Sequence, residues 1–404
     1  MRILYIHQYF KTPEEPGGTR SYWISQELIK RGHQVTMICS TNERHPVPSR
    51  VDANGIDVIY VKNEYSNYMP AYKKVISFVS FILSALKAAK KLKNIDLVFA
   101  TSTPLTVGYI AMRLKKSKGW KYVFEVRDLW PEFPIQIGAI KNKFAIKYLR
   151  GLERRIYKNA EFVIALSPGM QDGVVAAGMP VEKTAMIPNM SKPDRFYPHT
   201  PDPEIVKDFN LDLSSFNVVH FGSMGKANGL EYIIEAARIL QERGVNDVCF
   251  WFMGRGATEP VCKSLVEKYG LHNVRFLGFH KMSIVSEIVN CSSASITTFR
   301  NLPILATNSP NKLFDSLSAG KPIIVNSAGW TKDMVERGDC GFYVDPDNPA
   351  ALADKIMEVK DNKPLLERWG ENARKLSLEE YDKDLLTAQV ADVLGKVYKA
   401  FVNV

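Results

Sequence analysis

Short apolar runs alternate with helical patterns along most of this 404-residue chain. Near its start, a strand-like run at 3–8 precedes a helical pattern at 19–31 and a second strand-like run at 33–39. The alternation resumes later, with a strand-like run at 217–221 and a helical pattern at 230–242. Strands that alternate with helices of this length are typical of βαβ units on a parallel sheet. The sequence therefore predicts an α/β architecture.

A proline-rich segment separates the two alternating regions. Six prolines fall between Pro180 and Pro203, in polar sequence without sustained periodicity, which is typical of an interdomain linker. We expect an N-terminal domain over residues 1–195, a second domain over 205–375 and a cleft between them. The last residues, about 376–404, carry apolar side chains at helical spacing and are predicted to form a helix that packs on the rest of the molecule.

The composition excludes several classes of protein. The five cysteines are far apart and never in CxxC spacing, which argues against a disulfide framework or a thiolate zinc site. The histidines show no metal-binding spacing, so no metal is expected. The apolar stretch at the N-terminus is too short for a signal peptide, and no apolar run is long enough to span a bilayer, so we expect a cytoplasmic protein.

Charge is distributed unevenly along the chain. Residues 1–200 hold 30 Lys and Arg against 16 Asp and Glu, while the second half is slightly acidic. One basic stretch flanks an uncharged run at 75–86, and another follows helical spacing on one face. We interpret both as a face for an anionic membrane, although a core helix and a solvated charged face would explain them too. No nucleic-acid-binding module accompanies the charge, so no nucleic acid partner is expected. The second stretch comprises Lys143, Lys147, Arg150, Arg154 and Lys158.

Two glycine-rich loops follow strands and precede helices. Gly17 and Gly18 form the first, where backbone N–H groups and a helix N-terminus favour a phosphate, although a plain tight turn explains two glycines equally well. The second spans 222–229 and is not a GxGxxG dinucleotide motif, which argues against a binding site for NAD. Its candidate ligand-binding residues, with the cation that follows the next strand, are Gly222, Ser223, Lys226, Asn228 and Arg255.

Two further segments carry candidate site residues. Lys312 lies in the first turn of a short predicted helix, where a cation is disfavoured unless an anion binds there, and Asp315 lies on the same face. Arg127 and Asp128 lie just beyond a strand, where open α/β sheets bind ligands; Arg127 could pair with a phosphate and Asp128 could orient or deprotonate a hydroxyl. The alternative is a set of solvated charges beside packed apolar residues.

Several motifs together resemble glycosyltransferase family 4, the retaining GT-B enzymes, and within it the WbuB-like bacterial O-antigen sugar transferases. The resemblance covers nearly the whole chain and depends on the order and spacing of the motifs. They are HQYF at 7–10, PGGTR at 16–20, RDLWPE at 127–132, LERRIYKNAEFVIALSPGM at 152–170, IPN at 187–189, HFGSMGKANGLE at 220–231 and SPNKLFDSLSAGKPIIV at 309–325.

The resemblance implies a GT-B fold, in which two Rossmann-like doubly wound domains face a cleft and the last helix crosses back to the N-terminal domain. It implies a nucleotide-sugar donor on the second domain and an acceptor on the first. The two glycine-rich loops would then contact the donor diphosphate, Asp315 the ribose, and Arg127 would fall beside the donor sugar. The remaining donor contacts would come from Phe279 and His280, near the base, and from Ser309 and Asn311 beside Lys312.

The chain departs from the family pattern at three positions. Thr307 stands where the first acid of the E-x7-E motif is expected, and Ser223 and Asn228 stand in place of the usual Arg and Lys of the glycine-rich loop. Lys226, Arg255 or Lys312 could supply the missing charge. Fixed N–H groups and a lysine would stabilise the departing diphosphate without a metal. Arg127, Asp128 and Lys312 are therefore the candidate catalytic residues.

We expect a retaining transferase that uses a UDP-sugar, whose sugar is an N-acetylhexosamine or its deoxy derivative, and no cofactor. Its acceptor would be a sugar on a polyprenyl diphosphate, in O-antigen, capsule or exopolysaccharide biosynthesis, and the protein would lie on the inner face of the plasma membrane. Three alternatives stay open on the sequence: a nucleotide-sugar epimerase, a transferase with a soluble acceptor, and an inactive partner that binds a nucleotide-sugar.

Overall fold

Alternating strands and helices build two largely parallel sheets in the computed structural model. It describes residues 1–15, 17–40, 49–65 and 69–402. Pro16 of the PGGTR motif and residues 403–404 of the predicted last helix lie outside the described residues. The chain forms two units; the first comprises 1–13, 18–188 and 384–404, and the second comprises 14–17 and 189–383.

The first unit has a sheet of eight strands in the described part of the chain, in the order β3-β4-β2-β1-β5-β6-β7-β8. All neighbours pair in parallel except β3, which pairs with β4 in antiparallel fashion. The chain runs outward from β1 in one direction and then from β5 in the other, so the switch point lies between these two strands. The strands are β1 (Arg2–Ile6), β2 (Gln34–Ser40), β3 (Ser49–Ala53), β4 (Ile56–Val61), β5 (Leu97–Thr101), β6 (Tyr122–Val126), β7 (Phe162–Ala165) and β8 (Thr184–Met186).

Apolar residues on consecutive positions make the central strands of this sheet. All five residues of both β5 and β6 are buried, as expected for strands covered on both faces. The helices that precede β8 in the chain are α1 (Arg20–Lys30), α2 (Ala71–Lys90), α3 (Thr106–Lys118), α4 (Glu132–Gln136), α5 (Lys143–Asn159) and α6 (Pro168–Ala176).

Among the residues that the structure describes, the second unit has a six-stranded parallel sheet in the order β11-β10-β9-β12-β13-β14. Its switch point lies between β9 and β12. The strands are β9 (Phe216–Ser223), β10 (Val248–Arg255), β11 (Val274–Gly278), β12 (Ala294–Thr297), β13 (Ile323–Val325) and β14 (Gly341–Tyr343). The helices that follow β8 in the chain are α7 (Pro203–Asp208), α8 (Glu231–Glu242), α9 (Glu259–Tyr269), α10 (Met282–Cys291), α11 (Asn311–Ser318), α12 (Trp330–Arg337), α13 (Pro349–Val359), α14 (Lys363–Glu379) and α15 (Lys383–Val402).

Both units are therefore Rossmann-like, and the predicted doubly wound α/β class is confirmed. The proline-rich segment contains regular secondary structure that the linker prediction did not include, since β8 and the start of α7 lie within it.

The prediction of one continuous helix over about 376–404 is wrong. Helix α14 ends at Glu379 and α15 begins at Lys383. Between them the chain forms a parallel bridge from Asp382 to Ser191, and the Ser191 N–H donates to the Tyr381 carbonyl. These bonds take the backbone of 380–382 out of the helix. Within the first unit, α15 is held by an ion pair between Asp392 and Arg31.

Candidate active site

The glycine-rich loop of the second unit begins where β9 and β10 end side by side. Gly222 pairs with Gly254 and Ser223 with Arg255 in the parallel register. A Cβ on Gly254 would lie 1.9 Å from the Gly222 carbonyl oxygen, so only glycine fits there. This close approach leaves the side chains of Ser223 and Arg255 exposed at the carboxyl edge of the sheet. Parallel α/β sheets bind ligands at this edge.

Asn228 stabilises the glycine-rich loop by hydrogen bonds to its backbone and to Thr298. Its side-chain amide donates to the Ser223 carbonyl, and its own carbonyl accepts from the Thr298 hydroxyl. The side chain is buried and in this state serves the loop itself, so its predicted contact with a ligand stays a prediction. Lys226 is exposed and lines a cavity of about 530 Å³ together with Thr258 and Arg300.

Lys312 lies beneath this loop. Its Nζ is 3.1 Å from Nε2 of His220, a buried residue of β9, and its Cε lies 3.7 Å from the position that a Cβ on Gly222 would occupy. Burial lowers the pKa of Lys312 to about 7. Lys312 occupies the first turn of α11, whose N-terminal dipole also disfavours a cation. The amino group is thus placed where an anion would stabilise its charged form.

Asp315 lies three residues further along α11 and is buried. Its Oδ1 accepts from the Lys192 ammonium at 2.6 Å. Burial raises the pKa of Asp315, and Lys192 opposes that shift. The carboxylate is engaged with Lys192 here, and its predicted contact with a ribose stays a prediction.

Two other predicted ligand residues flank the start of α11. The Ser309 hydroxyl accepts from the Asn189 N–H at 3.1 Å, and the Ser309 carbonyl accepts from the Asn189 side chain. Asn311 begins the helix and is half-buried. Thr307, at the position of the expected acid, donates its hydroxyl to the Ile304 carbonyl.

Phe279 and His280 follow β11, the edge strand next to β10. The Arg255 guanidinium lies over the Phe279 ring at 4.1 Å from its centroid, and Phe279 is exposed. An exposed ring with a cation beside it suits a stacked base. The His280 ring points instead to the backbone of β11, with Nε2 2.7 Å from the Leu277 carbonyl, and packs edge-on against Phe209.

In the first unit, Arg127 and His7 meet at the ends of β6 and β1. Arg127 Nη1 lies 3.4 Å from His7 Nε2, and His7 Nδ1 lies 2.6 Å from the Ser21 hydroxyl. Burial and the adjacent Arg127 both keep the pKa of His7 well below its usual value. A neutral His7 that accepts from Arg127 would carry its proton on Nδ1, facing Ser21.

Asp128 lies beside this pair and is bound by the loop after β5. Thr103 donates its hydroxyl to Asp128 Oδ2 at 3.0 Å, and the Ser102 hydroxyl accepts from the Arg127 N–H. Burial raises the pKa of Asp128 to about 6, against the opposing effects of Thr103 and Arg127. A carboxyl group with this pKa is ionised at neutral pH and can still accept a proton from a hydroxyl.

A buried ion pair under this site was not singled out from the sequence. The Arg20 guanidinium donates to Glu125 Oε1 at 2.9 Å and to the carbonyls of Ile187 and Pro188. Thr101 donates to the other oxygen of Glu125. Arg20 therefore joins the start of α1 to β6, the strand that ends before Arg127.

The first glycine-rich loop divides between the two units. Gly17 is exposed, has a φ of 133° and belongs to the second unit, whereas Gly18 is half-buried and belongs to the first. The positive φ explains the glycine at 17. The predicted phosphate contacts of both glycines stay predictions.

Helices α2 and α5 of the first unit expose apolar side chains beside basic ones. On α2, Lys73, Lys87 and Lys90 are exposed, and the inner side chain Phe78 packs edge-on against Trp130, two residues after Asp128. On α5, Phe144 and Tyr148 stand out among the exposed basic residues predicted from the sequence, and Arg150 pairs with Glu132. Helix α3 packs against both helices. The exposed apolar residues of α2 are Tyr72, Val75, Ile76, Val79 and Leu83, each at least 49% exposed.

None of the helices in residues 1–15, 17–40, 49–65 and 69–402 has the length and apolar character that crossing a bilayer requires. The same residues contain no group of three or more His, Cys, Asp or Glu side chains arranged to hold a metal ion.

Family models match both units. Residues 17–190 match the model described as "Glycosyl transferase 4-like domain", and residues 202–376 match "Glycosyl transferases group 1". Among curated relatives, the putative colanic acid biosynthesis glycosyl transferase WcaI of Escherichia coli is 22% identical over 70% of each chain. Another curated relative is matched over 45% of its own length.

Solved structures share the fold of the whole chain. Sucrose-phosphate synthase from Thermosynechococcus elongatus superposes with a TM-score of 0.80 at 16% identity, over 99% of this chain and 100% of that one. The HepE protein of Anabaena, solved in complex with UDP-glucose, gives a TM-score of 0.74 at 19% identity, over 98% and 100% of the two chains. The fold is therefore that of the GT-B glycosyltransferases. With both of its units matched by glycosyltransferase models, the chain belongs to glycosyltransferase family 4.

Proposed function

We propose that this protein transfers a sugar from a UDP-sugar to a lipid-linked acceptor, with retention of the anomeric configuration, in the biosynthesis of a bacterial surface polysaccharide. The observation that carries the proposal is the Lys312 amino group held by His220 beneath Gly222. The names of relatives support it, since WcaI is described as a colanic acid transferase and HepE was solved with UDP-glucose.

The second unit would hold the donor. Lys312 and the N–H groups of the glycine-rich loop would bind the diphosphate, and exposed Arg255 and Lys226 would add positive charge in place of the missing loop Arg and Lys. Phe279 would stack on the base, and Asp315 would approach the ribose. Because these donors can stabilise the charge that develops on the departing diphosphate, we expect transfer without a metal or other cofactor.

The first unit would hold the acceptor. Asp128, with a pKa of about 6, would orient the attacking hydroxyl, and Arg127 would face the donor sugar or its phosphate. In a front-face retaining transfer the bond from the sugar to the diphosphate breaks on the same face on which the acceptor hydroxyl forms its new bond, and the departing phosphate accepts the proton of that hydroxyl. Such a reaction needs no strong base from the protein, which agrees with a half-buried carboxyl group at Asp128, beside Arg127.

Helices α2 and α5 would contact the membrane. The apolar residues exposed on α2 suit shallow insertion, and the basic residues around them suit anionic lipid. Because Phe78 of α2 packs against Trp130, this surface is connected to the segment that carries Asp128. The proposal therefore includes an acceptor on polyprenyl diphosphate and a peripheral location on the inner face of the plasma membrane.

The donor sugar is proposed to be an N-acetylhexosamine or its deoxy derivative, on the strength of the sequence resemblance alone. A transfer assay tests the whole proposal: purified protein is incubated with UDP-GlcNAc or UDP-GalNAc and a short polyprenyl-diphosphate sugar, with and without EDTA. Retention, read from the anomeric coupling in the product, supports it. Interconversion of UDP-sugars without transfer would favour an epimerase, equal transfer to a lipid-free sugar would favour a soluble acceptor, and binding without turnover would favour an inactive partner.

A further inference from the structure

We propose that His220 is a positioning residue that holds the Lys312 amino group against the glycine-rich loop, so that the lysine meets a nucleoside diphosphate already in place. The inference rests on the proposed function and goes beyond it, because it assigns a role to a buried histidine and couples donor binding to a proton.

The contact between His220 and a charged Lys312 is a hydrogen bond that the histidine accepts. The ring is 1% exposed within β9, and its Nε2 lies 3.1 Å from Lys312 Nζ. When Lys312 is charged its ammonium group has only donors, so a neutral imidazole then accepts at Nε2. Burial and the nearby Lys312 both lower the pKa of His220, which agrees with a neutral ring. His220 therefore acts as a fixed acceptor.

The same contact fixes where Lys312 points. A flexible lysine on a helix of eight residues would otherwise lose side-chain entropy on binding. Anchored by His220 and passing 3.7 Å from the Cβ position of Gly222, the side chain is already ordered under the loop. A glycine at 222 leaves room for this approach, and its φ of 101° suits glycine.

Few charges compete for Lys312. On its own helix, Asp315 is paired with Lys192. Strands β12 and β13, which pack against α11, have no ionisable side chains. Helix α14 carries charges of both signs at the other end of α11, where Glu367, Glu371 and Arg374 line a cavity beside Gly320. The Arg374 guanidinium donates there to the carbonyls of Ser318 and Phe196. Among the described residues on these elements, no carboxylate balances Lys312, so a bound diphosphate would be its counter-ion.

Proton uptake follows from this arrangement. The pKa of Lys312 is about 7 in the empty site, and a bound diphosphate would raise it. Between these two values, binding must add a proton to the lysine. At pH 8 the uptake should approach one proton for each UDP bound, and the affinity should fall by up to about tenfold per pH unit above 7.

The test is calorimetry of UDP binding between pH 6.5 and 8.5, in two buffers with different enthalpies of ionisation. Three variants are compared with the native chain. His220→Leu removes the acceptor at similar volume, and His220→Gln keeps an acceptor. Phe252→Leu is the matched control, because the Phe252 ring packs beside His220, 6.0 Å between centroids, without touching the lysine contact.

We expect His220→Leu to bind UDP about tenfold more weakly, with a penalty that grows as the pH rises, since a hydrogen bond to a charged group is lost. His220→Gln should recover most of the affinity, and Phe252→Leu should change it little. Equal UDP affinity and equal proton uptake in His220→Leu and the native chain would overturn the inference alone. A native chain that binds UDP with no proton uptake at pH 8 would also overturn it, even if the leucine variant does not fold. A native chain that binds no UDP would instead refute the proposed function.

Discussion

The Lys192 ammonium lies 2.6 Å from the Asp315 carboxylate, and both side chains are buried within the second unit. Lys192 follows the proline-rich segment's IPN motif, and Asp315 lies in α11 one turn after Lys312. The pair thus joins the start of the second unit to the helix that carries the proposed diphosphate contact. Asp315 also occupies the position that the family resemblance assigns to the ribose.

Breaking this pair should destabilise the second unit. Lys192→Met leaves the Asp315 charge buried without its partner, which we expect to cost about 3 kcal/mol of unfolding free energy in urea titrations. Lys360→Met is the control, because Lys360 pairs with Asp247, whose side chain is half-exposed, and its loss should cost under about 1 kcal/mol. Equal effects of the two variants would mean that the buried pair contributes no more than a surface one.

Lys312→Met should weaken the binding of UDP and stabilise the folded protein. The folded pKa of about 7 lies below the unfolded value of about 10.4, so the unfolded chain binds more protons between these values and stability rises with pH in that window. The variant should lose this slope and gain about 2 kcal/mol at pH 6.5, where the native lysine is charged. Its UDP affinity should fall at least tenfold. Thermal melting from pH 6 to 9, with and without UDP, measures both effects, and an unchanged affinity would remove Lys312 from the diphosphate site.

Asp128→Asn should lower the transfer rate and remove its acid limb. The pKa of Asp128 is raised to about 6, so kcat/KM of the native enzyme should rise with pH through that value as the carboxylate forms. We expect the variant to be about a hundredfold slower. Because a raised carboxyl pKa means that stability is lost as pH rises from about 4 to 6, the variant should also be more stable at pH 7, by about 1–2 kcal/mol. Asp172→Asn, at an exposed position of α6, serves as the control; a rate loss shared by both variants would argue against a role for Asp128.

Replacing Lys143, Lys147 and Arg154 with glutamate should release the protein from vesicles that contain anionic lipid. The three side chains are exposed on α5, and each basic residue near such a surface contributes about 1 kcal/mol. A flotation assay measures the bound fraction. The matched control replaces Lys263, Lys332 and Lys355 of the second unit with glutamate, which changes the net charge equally. Equal retention of the two variants would locate the membrane contact elsewhere.

The α2 surface makes a separate prediction. Substituting Ile76 and Leu83 with serine should weaken binding to vesicles at high salt, where charge is screened and apolar insertion remains. The control has to be an exposed apolar residue, because substituting a buried one such as Phe81 would disturb packing. Val175→Ser, at an exposed position outside α2, meets this requirement. Binding that is insensitive to Ile76 and Leu83 would exclude insertion of α2.

The fold could be predicted largely from periodicity, because the central strands are continuous apolar runs and their helices are amphipathic. Helix α11 ends just before Gly320, and α13 begins at the Asn348–Pro349 pair, as these glycine, asparagine and proline signals predict. Strand β3 is harder, since none of its five residues is buried and it pairs at the sheet edge. The strand β8 lies among prolines and depends on pairing with β7, which no local pattern encodes.

The candidate site, too, could be predicted from the sequence only in part. Lys312 and Asp128 could be selected from chain position alone, because a cation in a first helical turn and an acid after a strand are local signals. The side chains that contact the residues of α11 come from distant parts of the sequence: His220 lies 92 residues from Lys312, and Lys192 lies 123 residues from Asp315. Asn228 shows the reverse case, in which a polar residue in a ligand loop bonds to the loop itself.

The most direct test of the account is thermal stabilisation of the native chain and of Lys312→Met by UDP, UDP-GlcNAc, UDP-GalNAc, GDP, ADP and NAD. A ligand that binds only the folded state raises the melting temperature. The account predicts that UDP and its sugars stabilise the native chain, that the other nucleotides do so far less, and that Lys312→Met loses the effect. Stabilisation by NAD alone, or by no nucleotide, would contradict it.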